Sequence, residues 1–468
     1  MHQPLKHDVA GKSHESGLLA PDTSGMNFYR ADPALTDLLH IHLNDALFRH
    51  IEPHLDRLGA LAGGHLDECA RLADRHTPIL HQRDRFGRDV QWIEYHPAYR
   101  ELERAAFGEF GIHAMSIRKG ILGWPDKYPV VAKHAFTFLF NQAEFGLGCP
   151  INVMASGEIK LEGAIAYAVG RLDRGFVQMA EMVNSSRLSN GVKSTALMRR
   201  AHHDAMTVAK NRVVFGSRIV DLPLGRRQLL KIGLATEQAL SMSFLTADAL
   251  DRAETGSQDA AALLRILTPT LKFRATRDAR KVCGDAMEMR GGIGYIEEFA
   301  TARLLRDAHL GSIWEGTGNI VALDALKRAI GRHGAESALA ADLHARLDDS
   351  GEVPAGWRDR LHGLTDRAVS FAREVAARAD NEAEARRATS LLYHVASAVT
   401  LAWEAGRIHA RRGDARRLLL SRLVVDHRLA SGDPFRLAEN KVQDAIAGLL
   451  LGERDAGMAQ VGELVLAA

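Results

Sequence analysis

The stretch LKFRATRDARKVCGDAMEMRGGIGY, residues 271–295, decides how this chain is read. Leu271, Ala275, Ala279, Val282, Ala286 and Met289 recur at steps of three and four, so they share one face of a helix and read as a buried stripe. The stripe runs into Gly291-Gly-Ile-Gly-Tyr295. Glycines in that place end helices, and they also let a backbone come close to a ligand. They are not a dinucleotide fingerprint, because no strand precedes them. Upstream, Leu229, Ile232, Ala235, Ala239, Met242 and Leu245 form a second stripe of the same period. The expected centre of the fold is therefore a helical bundle whose core faces are these stripes.

Outward from that centre the chain stays helical. The pattern from Asp37 to Val153 is helical, with Val130 to Phe140 a buried helix and Pro97 of Tyr95-His-Pro-Ala-Tyr99 in the first turn of another. Only SGEIKLEGAIAYAVG, residues 156–170, changes texture: Ile159 and Leu161, then Ile165, Tyr167 and Val169, recur at period two, the strand period. Asn319 is placed to cap a helix carrying Ile320, Leu323, Leu326 and Ile330, and Gly331 to stop it. Ser350 to Trp357 reads as a turn before a further helical region. The expectation is a mainly α chain in five parts: a disordered tail over 1–25, a helical domain over 26–153, a short β segment over 154–170, a helical bundle over 171–332, and an additional helical region over 333–468.

Bulk composition narrows the function classes. With 468 residues, 46% hydrophobic and 25% charged, the chain has the make-up of a soluble globular protein. A net charge of +2 gives no global pull toward nucleic acid or membrane. Cys69, Cys149 and Cys283 lie far apart, which excludes a CxxC metal site and fits packing in a reducing cytoplasm. The first 25 residues carry no apolar core of signal-peptide length, and no run approaches the ~18 apolar residues of a spanning helix.

Three local features carry chemistry. In Arg212-Val-Val-Phe-Gly216, an arginine beside a glycine turn offers a fork of donors to a diphosphate; a solvated arginine is the plainer reading. The Gly291-Gly292 pair permits close backbone approach. In Ile313-Trp-Glu-Gly-Thr-Gly-Asn319, a carboxylate follows a large aromatic just before a helix. An apolar wall there would raise the pKa of Glu315 and make it a general base near neutral pH.

Together, Arg212-x-x-Phe-Gly, Gly291-Gly-x-Gly-Tyr, Arg303, Arg306-Asp307 and Glu315-Gly-Thr resemble the C-terminal helical domain of the acyl-CoA dehydrogenases. Trp314, the Gly-Asn after Thr317, the Tyr-His-Pro-Ala string and the extra region after residue 333 resemble the AidB-like branch. The resemblance implies an oxidoreductase that uses FAD to convert an acyl-CoA thioester to its 2-enoyl-CoA, with Glu315 as the base that removes the α-proton. It places Arg187 at the acyl-CoA pocket, Arg212 on the FAD diphosphate, Phe215, Gly291 and Gly292 at the adenosine end, and Thr317 and Asn319 beside the flavin. It further implies a homodimer or homotetramer, because such contacts reach a neighbouring subunit's FAD, and an electron-transfer acceptor.

The resemblance also has a gap. The β domain that holds the flavin ring opens in the family with a Thr-Glu-x-x-x-Gly-Ser-Asp type motif, which is missing; Phe145-Gly-Leu-Gly-Cys-Pro150 leads almost directly into the segment around Ile159. Without that domain the ring loses the support that hydride transfer requires. Two alternatives follow: a non-catalytic helical scaffold binding CoA, nucleotide or a partner, and a DNA-binding protein of the AidB-like alkylation response. The second alternative rests on Arg407, Arg411, Arg412, Arg416, Arg417, Arg422 and Arg428, for which a solvated helix face is the plainer explanation.

Overall fold

The computed structural model describes residues 20–148, 163–168, 170–430, 440–452 and 454–467. The chain enters through α1 (Pro33–His42), α2 (Asp45–Gly63) and α3 (His65–Arg75). The side chains of Asp32 and Asn44 accept from the Leu35 and Leu47 amides and so begin the first two helices. A hairpin of β1 (Ile79–Arg83) and β2 (Asp89–Glu94) follows, then α4 (Pro97–Glu103), with Pro97 in its first turn, and the buried α5 (Val130–Phe140). Pro129 gives α5 no cap of its own, and the carboxylate of Asp251 on a later helix accepts from the Val130 and Val131 amides at 2.6 and 3.0 Å instead.

Three long helices form the centre: α6 (Gly175–Asn211), α7 (Pro223–Glu254) and α8 (Gln258–Arg290). Both predicted stripes lie in the core, Leu229 to Leu245 on α7 and Leu271 to Ala286 on α8, with Met289 half-buried at the end. A two-residue hairpin, β3 (Val213–Val214) with β4 (Ser217–Arg218), joins α6 to α7. After α8 come α9 (Ala300–Gly311) and α10 (Gly318–Leu323); a π-helical turn continues α10 over Asp324–Ile330 and stops at Gly331. The C-terminal region adds α11 (Ala335–Asp348), α12 (Ala355–Ala377), α13 (Ala385–Arg412), α14 (Arg417–Val424), α15 (Asn440–Leu451) and α16 (Met458–Leu466).

Buried ion pairs tie these layers together. Arg199 of α6 meets Asp32 at 3.0 Å and Glu237 of α7 at 2.6 Å, and Arg417 of α14 meets Glu237 and Glu404 at 2.8 and 2.7 Å. Removing one member would strand a buried charge, a loss of about 3–5 kcal/mol. Asp67 of α3 likewise receives Arg200 of α6 and Arg303 of α9.

The mainly α expectation stands, with local corrections. Residues 79–94 form a hairpin inside the stretch read as helical. Its strands are exposed almost throughout, so no buried face imposes period two on the sequence. The legible signal was the turn, where Asp84 accepts from the Phe86 and Arg88 amides and Gly87 has φ +80°. The cap of α10 is Thr317 rather than Asn319, which is the second residue of the helix because Gly318 already has helical geometry. Most of the strand expected around 159–169, Cys149 and residues 1–19 of the expected tail lie outside the described residues. Residues 163–168 carry no strand ladder, and Ile165 and Tyr167 are exposed. Thr23 is buried, its hydroxyl donating to Asp204 at 2.7 Å. Cys69 and Cys283 are buried free thiols, and no described helix is long and apolar enough to cross a membrane.

Candidate active site

Glu315 lies in the turn between α9 and α10 with φ +58°, followed by Gly316 at φ +99°. A left-handed backbone is costly for a residue with a side chain and persists where its surroundings over-determine it. Those surroundings come from α6 and α8. The Ser186 hydroxyl donates to Oε1 of Glu315, and Nε of Arg187 donates to its backbone carbonyl at 3.2 Å. Nζ of Lys272 donates to the Gly316 carbonyl. Arg187 also reaches Asp324 at 2.7 Å, where Arg265 joins at 2.9 Å. A Cβ on Gly316 would lie 3.3 Å from Val321 and 3.5 Å from Arg187, so the turn fits glycine in both conformation and space.

The aromatic wall expected beside the carboxylate is present. Trp314 stacks on Phe145 with ring centroids 5.6 Å apart, and Nζ of Lys193 lies 4.5 Å from the Trp314 ring centre. Burial raises the pKa of Glu315, and Ser186, Lys193, Lys272 and Asn190 oppose that shift. Burial outweighs them, which leaves a carboxylate ready to take a proton above the ordinary glutamate range. Its second oxygen, Oε2, is buried with no well-aligned hydrogen bond among the described residues. The Lys272 ammonium is pushed down to about 8, by burial first and Arg187 second, against the attraction of Glu315. Thr317 and Asn319 stand at the exposed mouth of the turn, flanked by the exposed Ile313 and Ile320, and the Thr317 hydroxyl makes no capping bond.

The other expected site residues sit elsewhere. Arg212 follows the last residue of α6, and its Nη1 donates to the Arg290 carbonyl at the end of α8, 3.0 Å away. Gly291 has φ +77°, and a Cβ there would stand 3.2 Å from that Nη1. Glycine thus keeps a cradle open beside the guanidinium. Phe215 occupies the β3–β4 turn at φ +51° with its ring 98% exposed, and Tyr295 is 78% exposed. The positions from 187 to 212 follow the α6 axis and span about 37 Å at ~1.5 Å per residue. One chain therefore brings Arg187, Glu315, Thr317 and Asn319 together at one end, and Arg212, Phe215, Gly291 and Gly292 at the other. No single small cofactor can be held by both.

Sequence reading did not select Ser186, Lys193, Asn190 or Lys272. Lys193 and Lys272 did carry a signal: neither has an acid three or four positions away on its helix, so neither is part of a surface charge ladder. Six of the seven arginines proposed for DNA, all but Arg428, are met within the chain. Arg407 pairs with Asp349, Arg411 with Asp37, Arg412 with Asp37, Asp414 and Asp455, Arg416 with Asp414 and Asp455, Arg417 with Glu237 and Glu404, and Arg422 with Asp426.

Residues 19–167 match the adaptive response protein AidB N-terminal domain, and residues 173–330 match the acyl-CoA dehydrogenase C-terminal domain. Only residues 168–172 lie between the two matches, which leaves no room for a domain there. The chain is 36% identical over 176 residues to acyl-CoA dehydrogenase family member 11 of Caenorhabditis elegans, covering 37% of this chain and 28% of that protein. It is 36% identical over 173 residues to the putative acyl-CoA dehydrogenase AidB of Escherichia coli, covering 37% of this chain and 32% of that one. These matches therefore span about a third of the relatives' length. The crystal structure of C. elegans ACDH-11 in complex with C11-CoA superposes with a TM-score of 0.77 at 18% identity, over 97% of this chain and 99% of that chain, which establishes a shared fold.

Proposed function

We propose that this chain, which belongs to the acyl-CoA dehydrogenase superfamily on its AidB-like side, binds an acyl-CoA thioester at the Glu315 turn and removes its α-proton there. The observation that carries this reading is Glu315 itself. It is a carboxylate held in a left-handed backbone by Ser186, Arg187 and Lys272, raised in pKa by burial, with one buried oxygen that makes no well-aligned hydrogen bond among the described residues. A base needs a fixed position and a pKa moved up toward the working pH, and this turn supplies the first and shifts the second in that direction. The Ser186 hydroxyl stabilises the carboxylate before transfer, and Oε2 accepts the proton. Trp314 and Phe145 keep water from that side, and the exposed Ile313 and Ile320 offer an apolar rim to an acyl chain.

The residues present fit one half of an FAD. The Arg212 fork beside the Gly291 cradle suits a diphosphate, and the exposed Phe215 ring suits the adenosine end. FAD, when bound, supplies the acceptor for the β-hydride. Because Arg212 and Glu315 of one chain stand so far apart, the reading requires two copies, with Arg212 of one serving Glu315 of the other. For the ring itself, the described residues offer no sheet beyond two-stranded hairpins. That observation favours a second reading, an acyl-CoA-binding protein without dehydrogenation.

Visible absorption of the purified protein with added FAD separates the two. Bound flavin that bleaches with an acyl-CoA, and no longer bleaches in Glu315→Gln, supports the enzyme. Acyl-CoA binding by a colourless dimer supports the second reading and overturns the first.

A further inference from the structure

Arg428 is the one arginine of the 407–428 series with no ion-pair or hydrogen-bond partner among the described residues, and it faces a separate cavity of about 550 Å³. The cavity lies between the first turns of α7, the far face of α8, the chain just after α14, and α15. It is not the Glu315 cleft: Asp278, Val282 and Asp285 line it on α8, whereas Lys272 faces the Glu315 turn from an earlier stretch of that helix.

Charge and shape in this cavity point the same way. Arg227, Lys231 and Arg428 stand at its rim, exposed, and none makes an ion pair or hydrogen bond among the described residues, though Arg428 acts through space on Asp278. Of the three lining acids, Asp278 pairs with Arg274 at 2.5 Å and Asp285 with Lys281 at 3.0 Å, which leaves Asp444 against the three cations of Arg227, Lys231 and Arg428. Arg226 is turned away to the Asp444 carbonyl, where it pins α15 to α7. The rim is therefore net positive. The imidazole of His427 reports that field: burial first, then Arg428, Arg227 and Lys231, hold its pKa below the ordinary value, against Asp426. The interior is aliphatic, built from Leu230, Leu234, Ala235, Val282 and Leu423. Among the described residues no Phe, Tyr or Trp lines it, so the interior offers an alkyl chain more than it offers an aromatic ring. Its volume falls in the ordinary small-molecule range of about 300–1,000 Å³.

We propose that this cavity binds a small anionic amphiphile, an alkyl chain bearing a carboxylate or phosphate head, with the chain on Leu230, Leu234 and Val282 and the head on Arg227, Lys231 and Arg428. The assignment is independent of whether Glu315 is a base.

Calorimetric titration of the full-length protein with dodecyl phosphate and with laurate, both below micelle formation, tests it. One-to-one binding is expected, weakened about tenfold or more in Arg227→Ser/Arg428→Ser, the loss that removing charge-assisted contacts entails. Both substitutions are on exposed side chains, so the fold should be kept, and circular dichroism checks that. Acyl-CoA binding by the same double variant should match that of the unaltered protein, which separates this cavity from the acyl-CoA cleft. The proposal is overturned if neither anion binds, if the double substitution leaves binding unchanged, or if dodecyltrimethylammonium or inorganic phosphate binds equally well. Binding only to phosphatidylglycerol vesicles, and not to either monomeric probe, would also overturn it and point to a membrane surface.

Discussion

The two ends of α6 are built on opposite principles. At the Glu315 end every polar atom that fixes the turn comes from the same chain: Ser186, Arg187, Lys272 and Asp324 are interlocked and largely buried. At the Arg212 end the guanidinium makes one backbone bond, Phe215 is bare, and Tyr295 projects into solvent. A buried, over-determined turn can hold a strained carboxylate without help. A bare aromatic in a left-handed turn has no such support and gains from being covered. Under the proposed function, the difference predicts that proton chemistry is preorganised within one chain and that cofactor capture depends on a second copy.

The base end breaks most completely. Glu315→Gln keeps the shape of the side chain but cannot accept the proton, so acyl-CoA-dependent flavin reduction should fall by about a thousandfold, within the span attributed to a general base. Acyl-CoA binding should persist, because the Arg187 and Lys272 bonds go to backbone carbonyls and do not depend on the carboxylate. A residual rate near that of the unaltered protein would remove Glu315 from the reaction. Stopped-flow absorbance and a binding titration on the same sample distinguish the two results.

The division between the ends is tested next by complementation. Arg212→Ala should be inactive through loss of cofactor, and Glu315→Gln through loss of the base. Co-expressed at random, half the dimers carry one of each chain, and half of the sites in those dimers pair an intact Arg212 with an intact Glu315. Activity should then return to about a quarter of the unaltered level if sites are shared across a two-fold dimer. If each chain held its own complete site, the mixture would stay inactive, and the comparison drawn from α6 would fail.

Legibility in the sequence followed the same division. The α7 and α8 stripes were readable because buried helices impose period 3.6 on the residues that face the core. Gly291 and Gly316 were readable because their turns restrict which residues fit, and Glu315 and Arg212 stood out by their chemistry and by the motifs they share with a known family. The β1–β2 hairpin was not, since strands exposed on both faces leave no alternating pattern, and only Asp84 and Gly87 marked it. Ser186 was passed over because a hydroxyl has no chemistry of its own until the fold brings it from 129 positions away onto Glu315. The arginine series from Arg407 looked like a surface for phosphates because its acid partners, Asp37, Glu237 and Asp349 among them, are remote in sequence. Pairing across such separations leaves no local trace.

A smaller effect sharpens the account of the base. Ser186 donates to the charged form of Glu315, so Ser186→Ala should raise the Glu315 pKa further. Activity depends on the ionised carboxylate: it rises with pH through that pKa, and the acid limb of the profile should move to higher pH in the variant. The alkaline limb should fall near pH 8, where the Lys272 ammonium loses its charge and with it part of the stabilisation of ionised Glu315. A limb that stays in place after Ser186→Ala would mean that the hydroxyl does not act on the carboxylate.

The smallest effect on stability is expected at the cofactor end, and it isolates what Phe215 is for. Its ring touches almost nothing in the chain, so Phe215→Ser removes little packing, and thermal stability of the monomer should change by no more than about 0.5 kcal/mol. The serine also tolerates the φ of +51° no worse than the aromatic did. Against that near-neutral background, retention of FAD or the dimer dissociation constant should still weaken, because an exposed ring at a turn stabilises only what covers it. Both quantities can be read from one preparation, by absorbance after gel filtration and by sedimentation. If stability fell by several kcal/mol while assembly and cofactor binding held, Phe215 would be part of this chain's own core, and the contrast between the two ends of α6 would disappear.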